Sequence, residues 1–246
     1  MPKTKRLRIF AGPNGSGKST LVEKIKEIVS LTHFVNADEI EKKLLNQNSL
    51  DLKVFNLELK QEDFDLFCNT ENAKTLIRKS EKLGHKIDIS IKENIVVDKS
   101  GDSHSYEASL VASFIKENLC KSEQSFSFET VMSHISKLEE LEAAKELGYR
   151  IYLYFVCLDD PSTNISRVQN RVKKGGHNVA ENKIVSRYTK TLENLLPALK
   201  LTDRAYLFDN SDKMKLIAEL HQGNLVICSA KEDLPNWIIK YVLNKL

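Results

Sequence analysis

A glycine-rich segment near the start of the chain constrains the fold more than any other feature of the sequence. It fits the pattern G-x-x-x-x-G-K-[ST] at every fixed position, and it reads Gly12, Pro13, Asn14, Gly15, Ser16, Gly17, Lys18 and Ser19. Such glycines let backbone N–H groups turn inward around a polyphosphate, which a Cβ atom would obstruct. In a loop of this kind Lys18 reaches the β- and γ-phosphates, and the Ser19 hydroxyl binds Mg²⁺.

The flanks of this segment have the patterns of a strand and a helix. Residues 7–11 form a short, mostly apolar run before the glycines, and Leu21, Ile25 and Ile28 recur after them at helical spacing. A strand, a glycine loop and a helix N-terminus in this order aim the helix dipole at an anion. This context disfavours a glycine turn that only joins a strand to a helix, and we predict that the chain binds a nucleoside triphosphate.

The bulk composition is that of a globular protein without a polymer-binding stripe. The 246 residues suffice for one large α/β domain, expected to span 1–246. The net charge is only +3 and the Lys and Arg residues are scattered, which does not indicate nucleic acid as a partner. The four cysteines are isolated, so we interpret them as reduced packing residues rather than zinc ligands. No apolar run reaches membrane-spanning length, and we expect a cytoplasmic protein that does not act at a membrane.

Short β-type runs alternate with longer amphipathic helices, which predicts an α/β fold with a parallel sheet and helices on both faces. The run at 150–156 is apolar nearly throughout, as a central strand buried on both faces should be. The other predicted strands after the first are residues 33–36, 125–128, 205–208 and 225–228. The predicted helices are residues 19–29, 105–119, 133–147, 161–172, 180–196 and 235–246.

The region 46–104 breaks this alternation. A helical stretch near 71–83 is followed by Ile87, Ile89 and Ile91, which alternate with polar residues, and then by the apolar run 95–97. A period of two followed by a second apolar run predicts a β-hairpin rather than another strand–helix–strand crossover. We therefore predict a helix-plus-hairpin insertion after the second strand.

Two carboxylates follow predicted strands and are candidates for catalysis. Asp38 follows the second strand, and Glu129 closes the third strand together with Thr130. Since ligands of open α/β sheets bind at the carboxyl ends of the strands, both are expected near the phosphate loop. Asp38 can accept the proton of an attacking hydroxyl, bind Mg²⁺ through water, or cap the helix that starts at Glu39. Glu129 can orient an acceptor hydroxyl, position water in an ATPase, or be a strand-end residue without a role.

A pair of arginines precedes a Gly-Gly hinge. Arg167 and Arg171 lie four residues apart on one predicted helix face, ahead of the segment 173–180. Two guanidinium groups one turn apart suit a lid that clamps phosphates as charge develops, although a solvated helix face has the same pattern. Two further candidates for contact with phosphate or substrate are Arg187 and His177, and the histidine can equally cap the hinge.

Taken in order, these motifs resemble the zeta-toxin-like P-loop kinases, in the branch of predicted ATPases or kinases. The segments that carry the resemblance are Ala11–Thr20, Asn36–Ile40, Phe126–Thr130, and Gly175–Val179 running on to Tyr188, with a close at Phe208–Ser211. The match covers residues 7–44 and 105–210. It implies a P-loop kinase fold, ATP and Mg²⁺ bound by a loop that extends to Thr20, and a small hydroxyl-bearing acceptor.

The resemblance also implies roles for individual residues. Asp38 matches the base that takes the acceptor proton, and Glu129, followed by Thr130, matches a substrate-binding carboxylate. Arg167 and Arg171 fall in the helix that supplies phosphate-contacting arginines. The best-known members phosphorylate UDP-N-acetylglucosamine and are neutralised by a small antitoxin protein. Those members continue after the glutamate motif with glycine, threonine and arginine, whereas this chain continues with Val-Met-Ser-His.

Three functions fit the sequence. The leading hypothesis is a kinase that phosphorylates a small molecule. An ATP-driven switch, in which Glu129 positions water, is the alternative from another class. A nucleoside or polynucleotide kinase is the alternative within kinases, and the near-neutral charge lends it little support.

Overall fold

The computed structural model of the chain describes residues 4–100, 105–173 and 179–246. The strands in these ranges are β1 Arg6–Ala11, β2 Phe34–Val35, β3 Ser49–Asp51, β4 Ile89–Lys92, β5 Ile95–Asp98, β6 Phe126–Thr130, β7 Arg150–Cys157, β8 Arg204–Asp209, β9 Lys215–His221 and β10 Asn224–Ile227. The α-helices are α1 Lys18–Lys26, α2 Ala37–Gln47, α3 Gln61–Cys68, α4 Glu71–Glu81, α5 Ser105–Lys121, α6 Ser136–Glu146, α7 Pro161–Lys173, α8 Glu181–Glu193, α9 Leu195–Leu201 and α10 Asn236–Tyr241. None of the helices in these ranges combines the length and the apolar character needed to cross a bilayer.

These elements divide between two compact units. The larger unit comprises Met1–Thr32 and Ser127–Leu246, and the smaller unit comprises His33–Phe126. The glycine loop belongs to the larger unit. The predicted insertion, 46–104, belongs to the smaller unit, which extends beyond it on both sides to include α2 and α5.

The sheet of the larger unit has the strand order β10-β9-β8-β7-β1-β6. β7 pairs in parallel with both β1 and β8, so that Leu153 lies between Ile9 and Ala205. Every residue of β7 from Leu153 to Cys157 is buried, which confirms the predicted central strand. The register brings the carboxyl ends of these three strands to one edge of the sheet, and the glycine loop leaves β1 at that edge.

One edge of this sheet is an antiparallel hairpin that the sequence analysis did not include. β9 pairs antiparallel with β8, and β10 pairs antiparallel with β9. The two-residue turn Gln222–Gly223 has positive φ at both positions, 50° and 81°, as a type I′ hairpin turn requires. The sheet is therefore parallel at its centre and antiparallel at this edge. Of the two added strands, β10 was predicted and β9 was not.

Helices flank the larger unit's sheet, as predicted. α1 packs against β1 and β7, α6 packs against β7 and α9, and α7 packs against α8. The single helix predicted at 180–196 proves to be two helices, α8 and α9, which meet at Asn194. The Asn194 side chain donates a hydrogen bond to the Met132 carbonyl at 3.0 Å, which fixes this junction to the segment that follows β6.

The smaller unit contains the predicted hairpin. β4 and β5 pair antiparallel around a turn at Glu93–Asn94 with φ of 48° and 65°, and β3 adds on the other side of β5. The Asn94 side chain accepts a hydrogen bond from Leu59 N and donates one to Leu57 O, both at 2.8 Å, which ties the turn to the preceding segment. The predicted hairpin is therefore confirmed, and β3 is an addition to it.

Helices and aromatic rings form the core of the smaller unit. α5 packs against α2 and α4. Phe114 of α5 meets Phe64 edge-on with ring centroids 5.2 Å apart, and Phe67 lies 5.4 Å from the same ring. Phe64 and Phe67 belong to α3, a two-turn helix that the sequence analysis did not predict. These aromatic contacts pack α3 against α5.

Candidate nucleotide-binding site

The glycine motif forms the turn between β1 and α1. β1 ends at Ala11 and α1 begins at Lys18, with Gly17 as its N-cap residue. Gly12, Gly15 and Gly17 have φ of 148°, 75° and 101°, in the region that side chains with a Cβ rarely adopt. The loop therefore has the predicted strand–loop–helix arrangement, with the N-terminus of α1 at its end.

Close packing also excludes side chains at these glycines. A Cβ on Gly12 would lie 2.1 Å from the Val156 carbonyl oxygen, and one on Gly17 would lie 2.4 Å from Asn210 Nδ2. A Cβ on Gly15 would lie 2.7 Å from the Asn164 carbonyl oxygen. Gly15 is not a fixed position of the motif, so its glycine is explained by the approach of α7 and not by the pattern.

Lys18 is buried beneath the loop. Its Nζ donates hydrogen bonds to the carbonyl oxygens of Gly12 and Pro13, both at 3.0 Å, and its side chain is 8% exposed. The same Nζ lies 3.8 Å from Glu129 Oε1. The ammonium group is thus held inside the curve of the loop, next to a carboxylate from the end of β6.

Glu129 and Ser19 complete this cluster. The Ser19 hydroxyl donates a hydrogen bond to Glu129 Oε2 at 3.3 Å, and the glutamate side chain is 15% exposed. Both groups offer hard oxygen atoms, and Mg²⁺ typically takes one or two protein ligands of this kind beside phosphates and water. In the ranges that the structure describes, no group of three or more His, Cys, Asp or Glu side chains could hold a metal by itself. The residues fit a Mg²⁺ ion that depends on a bound nucleotide.

Two asparagines outside the motif contact the loop. Asn164 of α7 is fully buried, and its Nδ2 donates to the Asn14 carbonyl oxygen at 2.6 Å. Asn210 follows β8, and its Nδ2 donates to the Ser16 carbonyl oxygen at 2.8 Å. The sequence analysis assigned neither residue. Asn210 lies in the Phe208–Ser211 segment that closes the resemblance, whereas nothing in the sequence distinguished Asn164.

The paired arginines have different surroundings. Arg167 is half-buried, and its guanidinium group donates to the Asn210 carbonyl oxygen at 2.9 Å. Arg171, one turn further along α7, is exposed. Arg167 therefore contacts Asn210, which in turn contacts the loop. The segment 174–178, which contains His177 and most of the predicted lid, lies outside the described residues.

The strand ends next to the loop are fixed by a network of hydrogen bonds. The Asp209 carboxylate accepts hydrogen bonds from Trp237 Nε1 at 3.1 Å and from the Ser211 hydroxyl at 2.9 Å. The Ser211 hydroxyl in turn accepts from the backbone N–H of Asp159 at 2.9 Å. Helix α10 thus fastens the carboxyl ends of β7 and β8, the strands from which Asn164 and Asn210 follow.

Tyr188 contributes to the same support. Its hydroxyl donates to the carbonyl oxygens of Leu158 and Asp159, at 2.8 and 3.2 Å. Burial raises the pKa of Tyr188, so the hydroxyl remains protonated and available as a donor. Its neighbour Arg187 is half-buried and has no described contact with the loop.

Asp38 lies in the smaller unit, in the first turn of α2, and is exposed. The hypothesis that it caps a helix beginning at Glu39 is wrong, because α2 begins at Ala37 and Asn36 is the N-cap residue. The Asn36 side chain accepts a hydrogen bond from the Asp38 backbone N–H at 2.9 Å. The Asp38 carboxylate is therefore not used as the helix cap, and its catalytic role remains a prediction.

Thr130 lies at the last position of β6. Its hydroxyl accepts a hydrogen bond from the backbone N–H of Met132 at 3.1 Å, and Met132 has a positive φ of 59°. This turn belongs to the segment in which the chain departs from the sugar-nucleotide pattern. The structure thus brings together Lys18, Ser19 and Glu129 of the predicted site residues.

Comparisons with known proteins agree with this architecture. The fold matches a chain of the AvrRxo1-ORF1:AvrRxo1-ORF2 structure with sulphate ions, at 15% identity and a TM-score of 0.56, over 94% of this chain and 63% of that chain. The structure of AvrRxo1-ORF1:-ORF2 with ATP matches at 14% identity and a TM-score of 0.55, over 92% of this chain and 61% of that one. The chain therefore spans less than two thirds of these neighbours.

The similarity found by sequence comparison covers a much shorter part of the chain than the structural similarity does. An uncharacterized protein of Haemophilus influenzae is 33% identical over 63 residues, which are 26% of this chain and 45% of that protein. No family model matches the sequence. The predicted α/β fold, a largely parallel sheet with flanking helices, is nevertheless confirmed by the structure, and chains of these AvrRxo1-ORF1:-ORF2 structures share it.

Proposed function

We propose that this protein is an ATP-dependent phosphotransferase that moves the γ-phosphate of ATP to a hydroxyl group of a small molecule. The observation that carries the proposal is the convergence of Lys18, Ser19 and Glu129 at a loop whose glycines admit no side chain. A buried ammonium group, a hydroxyl and a carboxylate at a helix N-terminus suit a polyphosphate with its metal ion.

In this proposal the loop residues from Gly12 to Thr20 bind ATP, and Lys18 moves from its carbonyl partners to the phosphates. Ser19 would hold Mg²⁺ with Glu129 close by, and the ion would neutralise charge on the phosphates. Arg171 contacts the transferring phosphate. Arg167 is not assigned this contact with the transferring phosphate, because its guanidinium group donates a hydrogen bond to the Asn210 carbonyl oxygen.

The acceptor side of the proposal rests on the resemblance to the family. Asp38 is the base that accepts the proton of the acceptor hydroxyl as its oxygen attacks the γ-phosphorus, the bond from phosphorus to the β,γ-bridging oxygen breaks, and ADP leaves. The proposed acceptor contacts are Glu129, Thr130, Arg187 and His177. A UDP-N-acetylsugar is the first acceptor to test, and nucleosides and short oligonucleotides are the next.

A small antitoxin protein is the proposed macromolecular partner. The family resemblance implies such a partner, and the fold neighbour is an assembly of two proteins, AvrRxo1-ORF1 and AvrRxo1-ORF2. Binding of a co-expressed small protein that also blocks phosphate transfer would support this part of the proposal. Binding without an effect on transfer would contradict it.

The experiment that tests the proposal follows the γ-phosphate of labelled ATP. The purified chain with Mg²⁺ and no acceptor should release phosphate slowly, because water is a poor substitute for a positioned hydroxyl. One acceptor class from a panel of sugar nucleotides, nucleosides and oligonucleotides should become labelled. A panel in which nothing is labelled, combined with fast release of inorganic phosphate, would contradict a phosphotransferase.

A second candidate function is an ATP-hydrolysing switch, which the contact between Glu129 and Ser19 favours. A carboxylate 3.3 Å from the hydroxyl expected at the metal can position water as well as an acceptor. Acceptor-independent hydrolysis that is lost in Glu129→Gln and kept in Asp38→Asn would favour this function. Loss of phosphate transfer in both variants would favour the kinase.

A further inference from the structure

Two carbonyl groups of the phosphate loop are held from outside by side-chain amides. Asn164 Nδ2 donates to Asn14 O at 2.6 Å, and Asn210 Nδ2 donates to Ser16 O at 2.8 Å. These partners lie 150 and 194 residues away from the loop residues that they contact. Side chains from α7 and from the end of β8 therefore bind the loop at two alternate carbonyl groups, those of Asn14 and Ser16.

Peptide geometry gives these contacts a consequence for ligand binding. In a planar trans peptide, the carbonyl of one residue and the N–H of the next point in opposite directions. An asparagine that holds the Asn14 carbonyl on the outside directs the Gly15 N–H towards the inside of the loop. The bond to the Ser16 carbonyl does the same for the Gly17 N–H. Inward N–H groups are the feature with which such a loop binds phosphate.

The loop approaches the two asparagines so closely that a side chain at Gly15 or Gly17 would clash with them. A Cβ on Gly15 would lie 2.7 Å from the Asn164 carbonyl oxygen, and a Cβ on Gly17 would lie 2.4 Å from Asn210 Nδ2. Each asparagine thus contacts the loop beside a glycine with positive φ. The hydrogen bonds and the missing side chains define one loop conformation together.

Asn210 is itself fixed on three sides. Its backbone N–H donates to the Cys157 carbonyl oxygen at 2.9 Å, and its own carbonyl oxygen accepts from Arg167 at 2.9 Å. Its neighbour Asp209 is 5% exposed and is bonded to Trp237 and Ser211. Asn210 therefore connects β7, α7 and the loop, and its side chain has little freedom to turn away.

We propose that Asn164 and Asn210 are positioning residues that hold the phosphate loop in its nucleotide-binding form before the nucleotide arrives. This inference rests on the proposed function in one respect, namely that ATP is the ligand of the loop. The two side chains act through the loop amides and not by contact with the phosphates. Preorganisation of this kind reduces the ordering that binding would otherwise require.

The test compares Asn164→Ala and Asn210→Ala with Asn194→Ala as the matched control. Asn194 also donates from its side chain to a backbone carbonyl, that of Met132, but has no described contact with the loop. We expect each loop variant to weaken ATP binding about tenfold, since a part-buried loop carbonyl loses its partner. Exchange of the Gly15 and Gly17 amide hydrogens in the nucleotide-free protein should become faster. The control should keep ATP affinity within about twofold while losing a similar amount of thermal stability.

Asn164→Asp and Asn210→Asp provide a second pair with unchanged side-chain volume, in case an alanine variant fails to fold. Each replaces a donor by an oxygen that faces the carbonyl, so the same loss of affinity is expected. Wild-type ATP affinity and amide exchange in both pairs would overturn the proposal. If wild-type protein binds ATP and phosphorylates no acceptor, the proposed function fails and the affinity test still stands. If it does not bind ATP, amide exchange in the nucleotide-free protein remains the test.

Discussion

The two units of the molecule carry their candidate functional residues in different ways. In the larger unit, Lys18 is buried and Glu129 nearly so, and both lie within one cluster of hydrogen bonds and an ion pair. In the smaller unit, Asp38 is exposed on the first turn of α2, and only its backbone N–H has a described hydrogen bond. The candidate nucleotide-binding residues are thus held by several side-chain contacts, whereas the position of Asp38 depends on one helix end.

This difference allows the nucleotide-binding and acceptor parts of the proposed function to be tested separately. A phosphate loop recognises a part common to all nucleoside triphosphates, so its surroundings can be rigid and closely packed. The smaller unit combines a hairpin, a third strand and an aromatic cluster that the glycine motif does not specify. We therefore expect changes in the larger unit to affect nucleotide affinity and changes in the smaller unit to affect transfer or stability alone.

The largest effect is expected from Asp38→Asn. Loss of a general base should lower phosphate transfer by about 10²–10⁴, while ATP affinity stays within about threefold. Turnover with the labelled acceptor and calorimetry with ATP measure the two quantities. Glu39→Gln is the control, because it removes a carboxylate from the same exposed turn and should leave transfer within about threefold.

A parallel loss of ATP affinity and turnover in Asp38→Asn would contradict this division of roles between the two units. It would mean that the smaller unit takes part in nucleotide binding, through a metal ion or through the fold. The assignment of Asp38 as a base would then be wrong.

Lys18→Ala is expected to have the next largest effect, and on affinity. The variant removes a buried charge from the phosphates, at a cost of about 2–4 kcal/mol or about 30- to 1000-fold in the dissociation constant. Lys24→Ala, an exposed change on the same helix, should bind ATP within about twofold of wild type. Calorimetry of the two variants checks this, and equal affinities would remove the basis of the nucleotide site.

Local patterns account for the parts of the structure that could be predicted from the sequence. The glycine loop is specified by eight consecutive residues, and the hairpin β4–β5 by the alternation of Ile89 and Ile91 with polar residues. β3 has three residues and α3 has two turns, so neither is long enough to show a period. β9 escaped prediction although its turn is short, because Gln222 is not a residue typical of type I′ turns.

The missed residues of the site have a different cause. Asn164 and Asn210 each contribute one hydrogen bond to a partner more than a hundred residues away. A single long-range hydrogen bond leaves no periodic signal in the sequence, and asparagine is common in loops and helix ends. Arg167 shows the same limit: its spacing to Arg171 predicted a common role, but the structure gives it a carbonyl partner near the loop.

Arg171→Lys and Arg167→Lys should separate the two arginines. If Arg171 stabilises the transferring phosphate, its replacement should lower turnover about tenfold with little change in ATP affinity, because lysine lacks the planar two-pronged donor. Arg167→Lys should instead weaken ATP binding about threefold, since it loosens Asn210 and the loop. Steady-state kinetics and calorimetry on both variants distinguish these outcomes. Identical effects would show that the arginines act as one pair.

The smallest effects are expected from a matched pair of core substitutions, Phe64→Leu in the smaller unit and Phe155→Leu in the larger. Phe64 packs on Phe114 at 5.2 Å, and Phe155 packs on Trp237 at 5.6 Å, the residue whose indole N–H is bonded to Asp209. Each variant should lose about 1–2 kcal/mol of unfolding free energy, because leucine fills most of the volume of phenylalanine. Only Phe155→Leu should also weaken ATP binding, by about two- to threefold, since its partner supports the strand end that carries Asn210. Denaturant titration and calorimetry measure both quantities on the same samples. An ATP affinity that falls equally in Phe64→Leu would show that the smaller unit's core supports the loop, and the two units would then have to be treated as one.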